Sequence, residues 1–107
     1  MQHITAEELK RWLDDSARAR PVLLDVREPW ERDICSLAES VHIPMNAVPM
    51  RAGDLDPEAD TVVVCHFGGR SLQVAMHLER RGFAHVYNLS GGVDAWARRI
   101  DSSMATY

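Results

Sequence analysis

One stretch decides the fold of this chain: Val62-Val63-Val64-Cys65-His66-Phe67-Gly68-Gly69-Arg70-Ser71, which leads into a helical pattern over residues 71 to 81. It predicts an apolar strand, a glycine-containing loop and a helix in direct succession. A thiol at the strand's end would lie beside inward-turning N–H groups and the partial positive charge of a helix N-terminus. These surroundings favour the thiolate, which makes Cys65 a candidate nucleophile. A buried cysteine that acts as a small hydrophobe is the alternative.

Composition limits the possible architectures. The chain has 107 residues, of which 46% are apolar and 26% charged, so it has room for a single core. We expect one domain over residues 1–100 and a flexible C-terminal tail over residues 101–107. The sequence is compatible with a monomer or a homodimer.

Charge and cysteine usage exclude several classes of function. The net charge is −4 and no block of lysine or arginine occurs, so we expect no nucleic-acid partner. The N-terminus lacks a signal-peptide pattern and no apolar run has membrane-spanning length, so we expect a cytoplasmic protein without a membrane partner. Two cysteines thirty positions apart form neither a disulfide framework nor a zinc site, so we expect reduced thiols and no metal.

Helical and extended patterns alternate along the chain. A capping box at Thr5-Ala6-Glu7-Glu8 opens a helix that should end near Asp15. The remaining pattern predicts strands over 3–4, 21–25, 40–43, 61–65 and 85–89, and helical segments over 29–34, over 71–81 and from residue 90. This succession is typical of an α/β fold with a central, mostly parallel five-stranded sheet and helices on both faces.

Chemically active residues follow the predicted strands. They form four segments: Asp25-Val26-Arg27-Glu28, Pro44-Met45-Asn46, Cys65 through Arg70, and Ser90-Gly91-Gly92. Ligand sites of open α/β sheets lie beyond the carboxyl ends of the strands. We therefore expect the site at this edge, whereas the segment 53–57 has the composition of ordinary turns.

Four fragments carry a resemblance to a known family. They are Asp25-Val26-Arg27-Glu28, His42-Ile43-Pro44, the loop Cys65-x-x-Gly68-x-Arg70-Ser71, and Leu89-Ser90-Gly91-Gly92-Val93-Asp94-Ala95-Trp96. Together they resemble a single-domain rhodanese over nearly the whole chain. The resemblance implies a rhodanese-like fold and a thiosulfate sulfurtransferase that works through a Cys65 persulfide. It also implies that the sulfur is cradled by the substrate-binding residues His66, Phe67, Gly68, Gly69, Arg70 and Ser71.

The chemistry of sulfur transfer suits this loop. A thiolate attacks the outer sulfur of a donor such as thiosulfate, and sulfite leaves as an anion. Arg70 and the N–H groups of Phe67, Gly68 and Gly69 are the candidate donors to that anion. The persulfide then reacts with a thiophilic acceptor, which is cyanide in vitro and a small thiol or a protein in the cell. The reaction needs no metal or organic cofactor.

Two alternatives remain open at the level of sequence. The first alternative is a cysteine-dependent phosphatase or arsenate reductase. The pattern of these enzymes has five residues between cysteine and arginine, whereas four residues separate Cys65 from Arg70. The second alternative is a non-catalytic rhodanese-like module that binds a partner protein. The presence of both Cys65 and Arg70 counts against it.

Three further residues have predicted supporting or open roles. We expect Asp25 and Arg27 to form an ion pair that supports the site from below. Cys35 lies in a segment, residues 34–40, that departs from the family pattern, which usually has a glycine-histidine pair here. Its thiol is either a passive buried group, which we favour, or a group that resolves the persulfide.

Overall fold

The computed structural model describes residues 1–107, which form five strands and five α-helices. The strands are β1 (Gln2–Ile4), β2 (Val22–Asp25), β3 (Val41–His42), β4 (Thr61–Val64) and β5 (Val86–Leu89). The helices are α1 (Ala6–Asp14), α2 (Pro29–Ile34), α3 (Val48–Arg51), α4 (Gly69–Arg80) and α5 (Gly92–Arg99). No helix has the length and apolar character needed to cross a membrane.

The five strands form one sheet in the order β1-β5-β4-β2-β3. All four neighbouring pairs are parallel, which confirms the predicted mostly parallel sheet and makes it entirely parallel. β4 is central, and its carboxyl end leads into the loop that carries Cys65. The carboxyl ends of the other strands lie at the same edge, where the sequence predicted the site.

Two apolar cores lie on opposite faces of the sheet, as the predicted packing of helices on both faces requires. Successive side chains of a strand point to opposite faces. Val63 and Cys65 accordingly pack with α3 and α4. Val62 and Val64 pack with α1 and α5. Cys65 therefore belongs to the α3/α4 face.

The region around α4 differs from the prediction at its start. The helical pattern indicated a helix from residue 71, whereas α4 begins at Gly69. Gly68 precedes it with φ 110°, a left-handed conformation that glycine adopts without strain. Apolar periodicity marks only the buried positions of a helix, which here begin at Ser71, so it did not indicate the first turn. Arg70 consequently lies in that turn.

Residues 45–54 also differ from the prediction. They form α3 flanked by 3₁₀ turns at Met45–Ala47 and Ala52–Asp54, where the sequence indicated only loop and turn. The flexibility of residues 101–107 stays a prediction, and two side chains of this segment contact the domain. Met104 and Tyr107 pack on the α1/α5 core because both side chains present apolar surface to it.

Gly92 makes the closest backbone approach in the fold. It has φ 60°, and a Cβ placed there would lie 2.4 Å from the carbonyl oxygens of both Cys65 and His66. The absence of a side chain therefore allows α5 to begin directly against the loop after β4.

We expect Gly92→Ala to lower the free energy of unfolding by about 2–4 kcal/mol, because it combines left-handed strain with a backbone clash. Urea unfolding followed by circular dichroism measures the change. Gly53→Ala is the matched control, since no atom lies within 4 Å of its added Cβ and its φ is not positive. Equal stability of the two variants would contradict this account of the close approach.

Candidate active site

Cys65 lies directly after β4, and its side chain is buried at 1% exposure. Its Sγ accepts a hydrogen bond from the backbone N–H of Gly68 at 3.0 Å. The sequence predicted N–H donors at Phe67, Gly68 and Gly69; the structure brings only that of Gly68 to the sulfur. The Ser71 hydroxyl is the second polar group there, with Oγ 3.2 Å from Sγ.

Asn88 holds both groups that contact the sulfur. Its Oδ1 accepts the hydroxyl hydrogen of Ser71 at 2.5 Å, and its Nδ2 donates to the carbonyl of Gly68 at 3.3 Å. Ser71 therefore presents an oxygen lone pair to Cys65 when the thiol carries its proton. Sequence reasoning missed Asn88; the only signal was a polar residue in the otherwise apolar or aromatic strand β5.

The first turn of α5 fixes the backbone of the loop. The N–H of Val93 donates to the carbonyl of Cys65 at 2.9 Å, and that of Asp94 donates to the carbonyl of His66 at 3.1 Å. These N–H groups lack partners within their own helix, so they are free to bind the loop. The helix start thus sets the position of Cys65 relative to α4.

Arg70 is bound by a carboxylate that the sequence did not indicate. Its Nη1 and Nη2 donate to Oε2 and Oε1 of Glu31 at 2.7 and 2.8 Å, a two-pronged ion pair. Glu31 belongs to α2 and is 3% exposed. The N–H of Glu28 also donates to its Oε2 at 2.9 Å. Arg70 makes no other hydrogen bond.

The ion pair is ionised throughout the neutral pH range. Hydrogen bonding from Arg70 outweighs the effect of burial and lowers the pKa of Glu31 to about 2. Hydrogen bonding to Glu31 raises the pKa of Arg70 above its usual range, and proximity to Cys65 contributes in the same direction. The positive charge of Arg70 is therefore already neutralised by a permanent partner, Glu31.

Tyr107 joins this ion pair to a second one. Its hydroxyl donates to Oε1 of Glu31 at 2.8 Å and accepts a hydrogen bond from Nη1 of Arg27 at 2.9 Å. Burial raises the pKa of the Tyr107 hydroxyl to about 12, so it keeps the proton that it donates. Nothing in the local sequence pattern around Tyr107 predicted this role.

The expected pair of Asp25 and Arg27 is present beneath the site. Nη2 of Arg27 lies 2.8 Å from Oδ2 of Asp25, and the two side chains are 0% and 1% exposed. Arg32 contacts the same carboxylate at 3.1 Å. Neither Asp25 nor Arg27 contacts Cys65, so their position is that of a support beneath the loop and α2.

Four aromatic side chains form a continuous row beside Cys65: Trp30, Tyr107, His66 and Phe67. The Tyr107 and His66 rings stack at 3.7 Å and 9°, the His66 and Phe67 centroids are 3.8 Å apart, and Trp30 meets Tyr107 edge-on at 5.9 Å. Trp30 and Phe67, at the two ends, are 60% and 61% exposed. We call these four residues the aromatic row.

Cys35 does not share the environment of Cys65. It packs against the α1/α5 core, whereas Cys65 belongs to the core on the α3/α4 face. Its Sγ lies 3.8 Å from Nη1 of Arg27. The separation of the two thiols by the sheet favours the passive role for Cys35. No three His, Cys, Asp or Glu side chains are grouped so as to hold a metal ion.

Comparison with known proteins identifies the family and the fold. Residues 5–99 match the model of the rhodanese-like domain family. The chain belongs to this family. A solved rhodanese-like domain protein from Staphylococcus aureus superposes on this rhodanese domain with a TM-score of 0.85 and 29% identity, covering 100% of this chain and 99% of the other. The rhodanese-like α/β fold implied by the sequence is therefore confirmed.

Two relatives differ in length from one another. A sulfurtransferase of Allochromatium vinosum is 33% identical over 92% of this chain and 90% of its own length. A chloroplastic rhodanese-like/PpiC domain-containing protein 12 of Arabidopsis thaliana is 40% identical over 100% of this chain, which spans 38% of that protein. Rhodanese-like domains similar to this one thus occur both as most of a protein and as part of a longer chain.

The Glu31 carboxylate should make stability depend on acid pH. Because its pKa falls from an ordinary 4.5 to about 2 on folding, its stabilisation is complete above 4.5 and is lost as the pH falls toward 2. We expect Glu31→Gln to lower the free energy of unfolding by about 3 kcal/mol at pH 7. The difference from the native protein should shrink progressively below the ordinary pKa.

Urea unfolding at a series of pH values measures this dependence. Glu58→Gln is the control, since its carboxylate is exposed and forms no ion pair. A stability difference between native protein and Glu31→Gln that stays constant down to the lowest pH would refute the ionised pair.

Proposed function

We propose that this domain is a sulfurtransferase that moves a sulfane sulfur from thiosulfate or a similar donor to a thiophilic acceptor through a Cys65 persulfide. One observation carries the proposal: the Cys65 sulfur lies at the carboxyl edge of the sheet, the Gly68 N–H donates to it, and the Ser71 Oγ lies 3.2 Å away. Membership of the rhodanese-like family and the sulfurtransferase among the relatives support sulfur transfer in general.

The first half-reaction loads the enzyme. The Cys65 thiolate attacks the outer sulfur of thiosulfate, a new S–S bond forms, and the S–S bond of the donor breaks. Sulfite leaves with the electron pair of the broken bond, and Cys65 retains one additional sulfur. No oxidant or proton is consumed. The Gly68 N–H, which donates to Sγ in the free protein, is placed to stabilise negative charge on the sulfur.

The second half-reaction removes the sulfane sulfur from Cys65. Cyanide attacks the outer persulfide sulfur, forms thiocyanate and returns Cys65 as thiolate. A thiol acceptor gives an organic persulfide in the same way, with its proton retained on the product. The two halves form a ping-pong sequence. Arg70 uses two of its five N–H donors on Glu31 and leaves three for an oxygen of the donor.

Substitution of the two cysteines tests the assignment of the nucleophile. Native protein incubated with thiosulfate should gain the mass of one sulfur atom, and cyanide should remove it. We expect Cys65→Ser to lose the mass gain and thiocyanate production completely, because oxygen does not carry the sulfane sulfur. Cys35→Ser is the matched control and should load and unload as the native protein does.

Intact-mass spectrometry and thiocyanate assay provide the two readouts. Sulfur loading by Cys65→Ser would disprove the assignment. A native protein that never gains sulfur from any donor would instead favour the partner-binding module. A Cys35→Ser variant that loads but does not unload would give Cys35 the resolving role.

Insertion of one glycine between Gly68 and Gly69 tests the size of the loop. It lengthens the spacing between Cys65 and Arg70 to the five residues of the phosphatase-like pattern. We expect sulfur transfer to fall on the order of a hundredfold, because displacements of about 1 Å have such effects on reacting groups. The wider loop should also bind arsenate or phosphate more readily.

Steady-state thiocyanate production and oxyanion inhibition measure both effects. A glycine inserted between Gly53 and Asp54, in an exposed turn far along the chain from the loop, is the control and should retain native rates. Native rates in the Gly68 insertion variant would show that loop length does not select the reaction.

A further inference from the structure

The strongest unexplained feature of the site is that its cation is neutralised before any donor arrives. Arg70 lies five positions after Cys65, in the first turn of α4, and it is held at both terminal nitrogens by Glu31. Glu31 in turn accepts from the Glu28 N–H and the Tyr107 hydroxyl, so its oxygens are fully engaged. Arg70 thus offers hydrogen bonds without an uncompensated charge.

The other two cations of this region are committed elsewhere. Arg27 is completely buried on Asp25, and Arg32 binds the same carboxylate and the Ser40 hydroxyl. Neither contacts Cys65. Arg27, Arg32 and Arg70 thus each have a carboxylate partner, and none of these three arginines has an uncompensated charge.

Burial adds to this effect. Cys65 is 1% exposed, and none of the four cavities of the structure is lined by it. A donor must lose most of its water to reach the sulfur. The free-energy cost of removing water from an anion rises steeply with its charge. Burial therefore disfavours a dianion more than a monoanion or a neutral molecule.

Two members of the aromatic row, Trp30 and Phe67, supply apolar surface near the loop. His66 and Phe67 follow Cys65 directly in the chain, and Phe67 and Trp30 present exposed rings. Aromatic faces of this kind pack against an organic group and gain nothing from a small inorganic dianion.

From these observations we infer that Glu31 is a specificity-determining residue, and that the site prefers organic sulfane-sulfur donors of charge −1 or zero over thiosulfate. This inference rests on the proposed sulfur transfer and names its donor class. The shared chemistry is a sulfane sulfur whose leaving group carries an organic substituent and at most one negative charge.

The reaction with such a donor balances in the same way as with thiosulfate. The Cys65 thiolate attacks the outer sulfur of R–S–SH, the donor S–S bond breaks, and R–S⁻ leaves with the electron pair. The persulfide proton stays on the transferred sulfur. With an organic thiosulfonate, R–SO₂–S⁻, the leaving group is the sulfinate R–SO₂⁻.

Three defined probes separate charge from apolar contact: thiosulfate, methanethiosulfonate and benzenethiosulfonate. The first is a dianion, and the other two are monoanions that differ by an aromatic ring. The rate of sulfur loading of Cys65 is followed by intact mass at constant ionic strength. Each rate is divided by that of the same donor with free cysteine at the same pH, which removes differences in leaving-group reactivity.

We expect the normalised rate to rise at least about tenfold from thiosulfate to methanethiosulfonate. The second negative charge of thiosulfate is compensated poorly, because Arg70 is already paired with Glu31. A further severalfold increase with benzenethiosulfonate should follow from the aromatic row. Normalised rates that favour thiosulfate would overturn the inference, and this comparison needs only the native protein.

A charge substitution tests Glu31 itself. Glu31→Gln introduces a neutral side chain of the same shape and leaves the charge of Arg70 uncompensated. A dianion gains twice the Coulomb energy of a monoanion from that charge. We expect the ratio of thiosulfate to methanethiosulfonate loading to rise about tenfold in this variant. Glu28→Gln removes an exposed charge three residues away that does not bind Arg70, and should change the ratio less than twofold.

The outcomes separate this inference from the proposed function. Loss of loading by both donors in equal proportion, with an unchanged ratio, would make Glu31 merely structural and overturn the inference while sulfur transfer stands. Failure of every donor to load the native protein would overturn the proposed function, and this inference with it.

Discussion

The contact between the start of α5 and the carbonyls of the loop after β4 is the constraint on which the site depends. Two N–H groups of the first helical turn bind the carbonyls of Cys65 and His66, and Gly92 allows the approach. With both carbonyls held, the chain can turn its next N–H, that of Gly68, toward the sulfur. Cys65 is thus positioned by hydrogen bonds of the backbone.

A second constraint comes from α2, which is distant in sequence but adjacent at the same edge of the sheet. Glu31 binds Arg70 across 39 positions and Tyr107 across 76. Its position is secured by the buried ion pair of Asp25 and Arg27 beneath it, to which the Tyr107 hydroxyl is joined. The charges below the loop therefore form one connected set, and the conformation of Arg70 depends on residues from three separate parts of the chain.

Local patterns predicted most of the fold because they record burial and capping. The capping box at Thr5 and Glu8 is present, and the succession of helical patterns and short extended runs placed all five strands. The cradle around Cys65 was indicated by its glycines for the same reason, since their conformations are local. Glu31, Asn88 and Tyr107 were not indicated, because their roles arise only when folding brings distant polar groups together. A carboxylate on a short helix looks the same in sequence whether it faces water or an arginine.

This distinction changes how the arginine of the loop is interpreted. From sequence alone Arg70 is a permanent charge beside a nucleophile, and such a charge favours small dianions. In the folded chain the same side chain is half of an ion pair, so it offers hydrogen bonds while its charge is compensated by Glu31. The Coulomb attraction of a donor anion depends on the charge that is left uncompensated after ion pairing, and not on the residue type alone. Under the donor preference that we infer, selectivity in this protein depends on the pair formed by α2 and α4, and a change at Glu31 should alter it without any change in the loop.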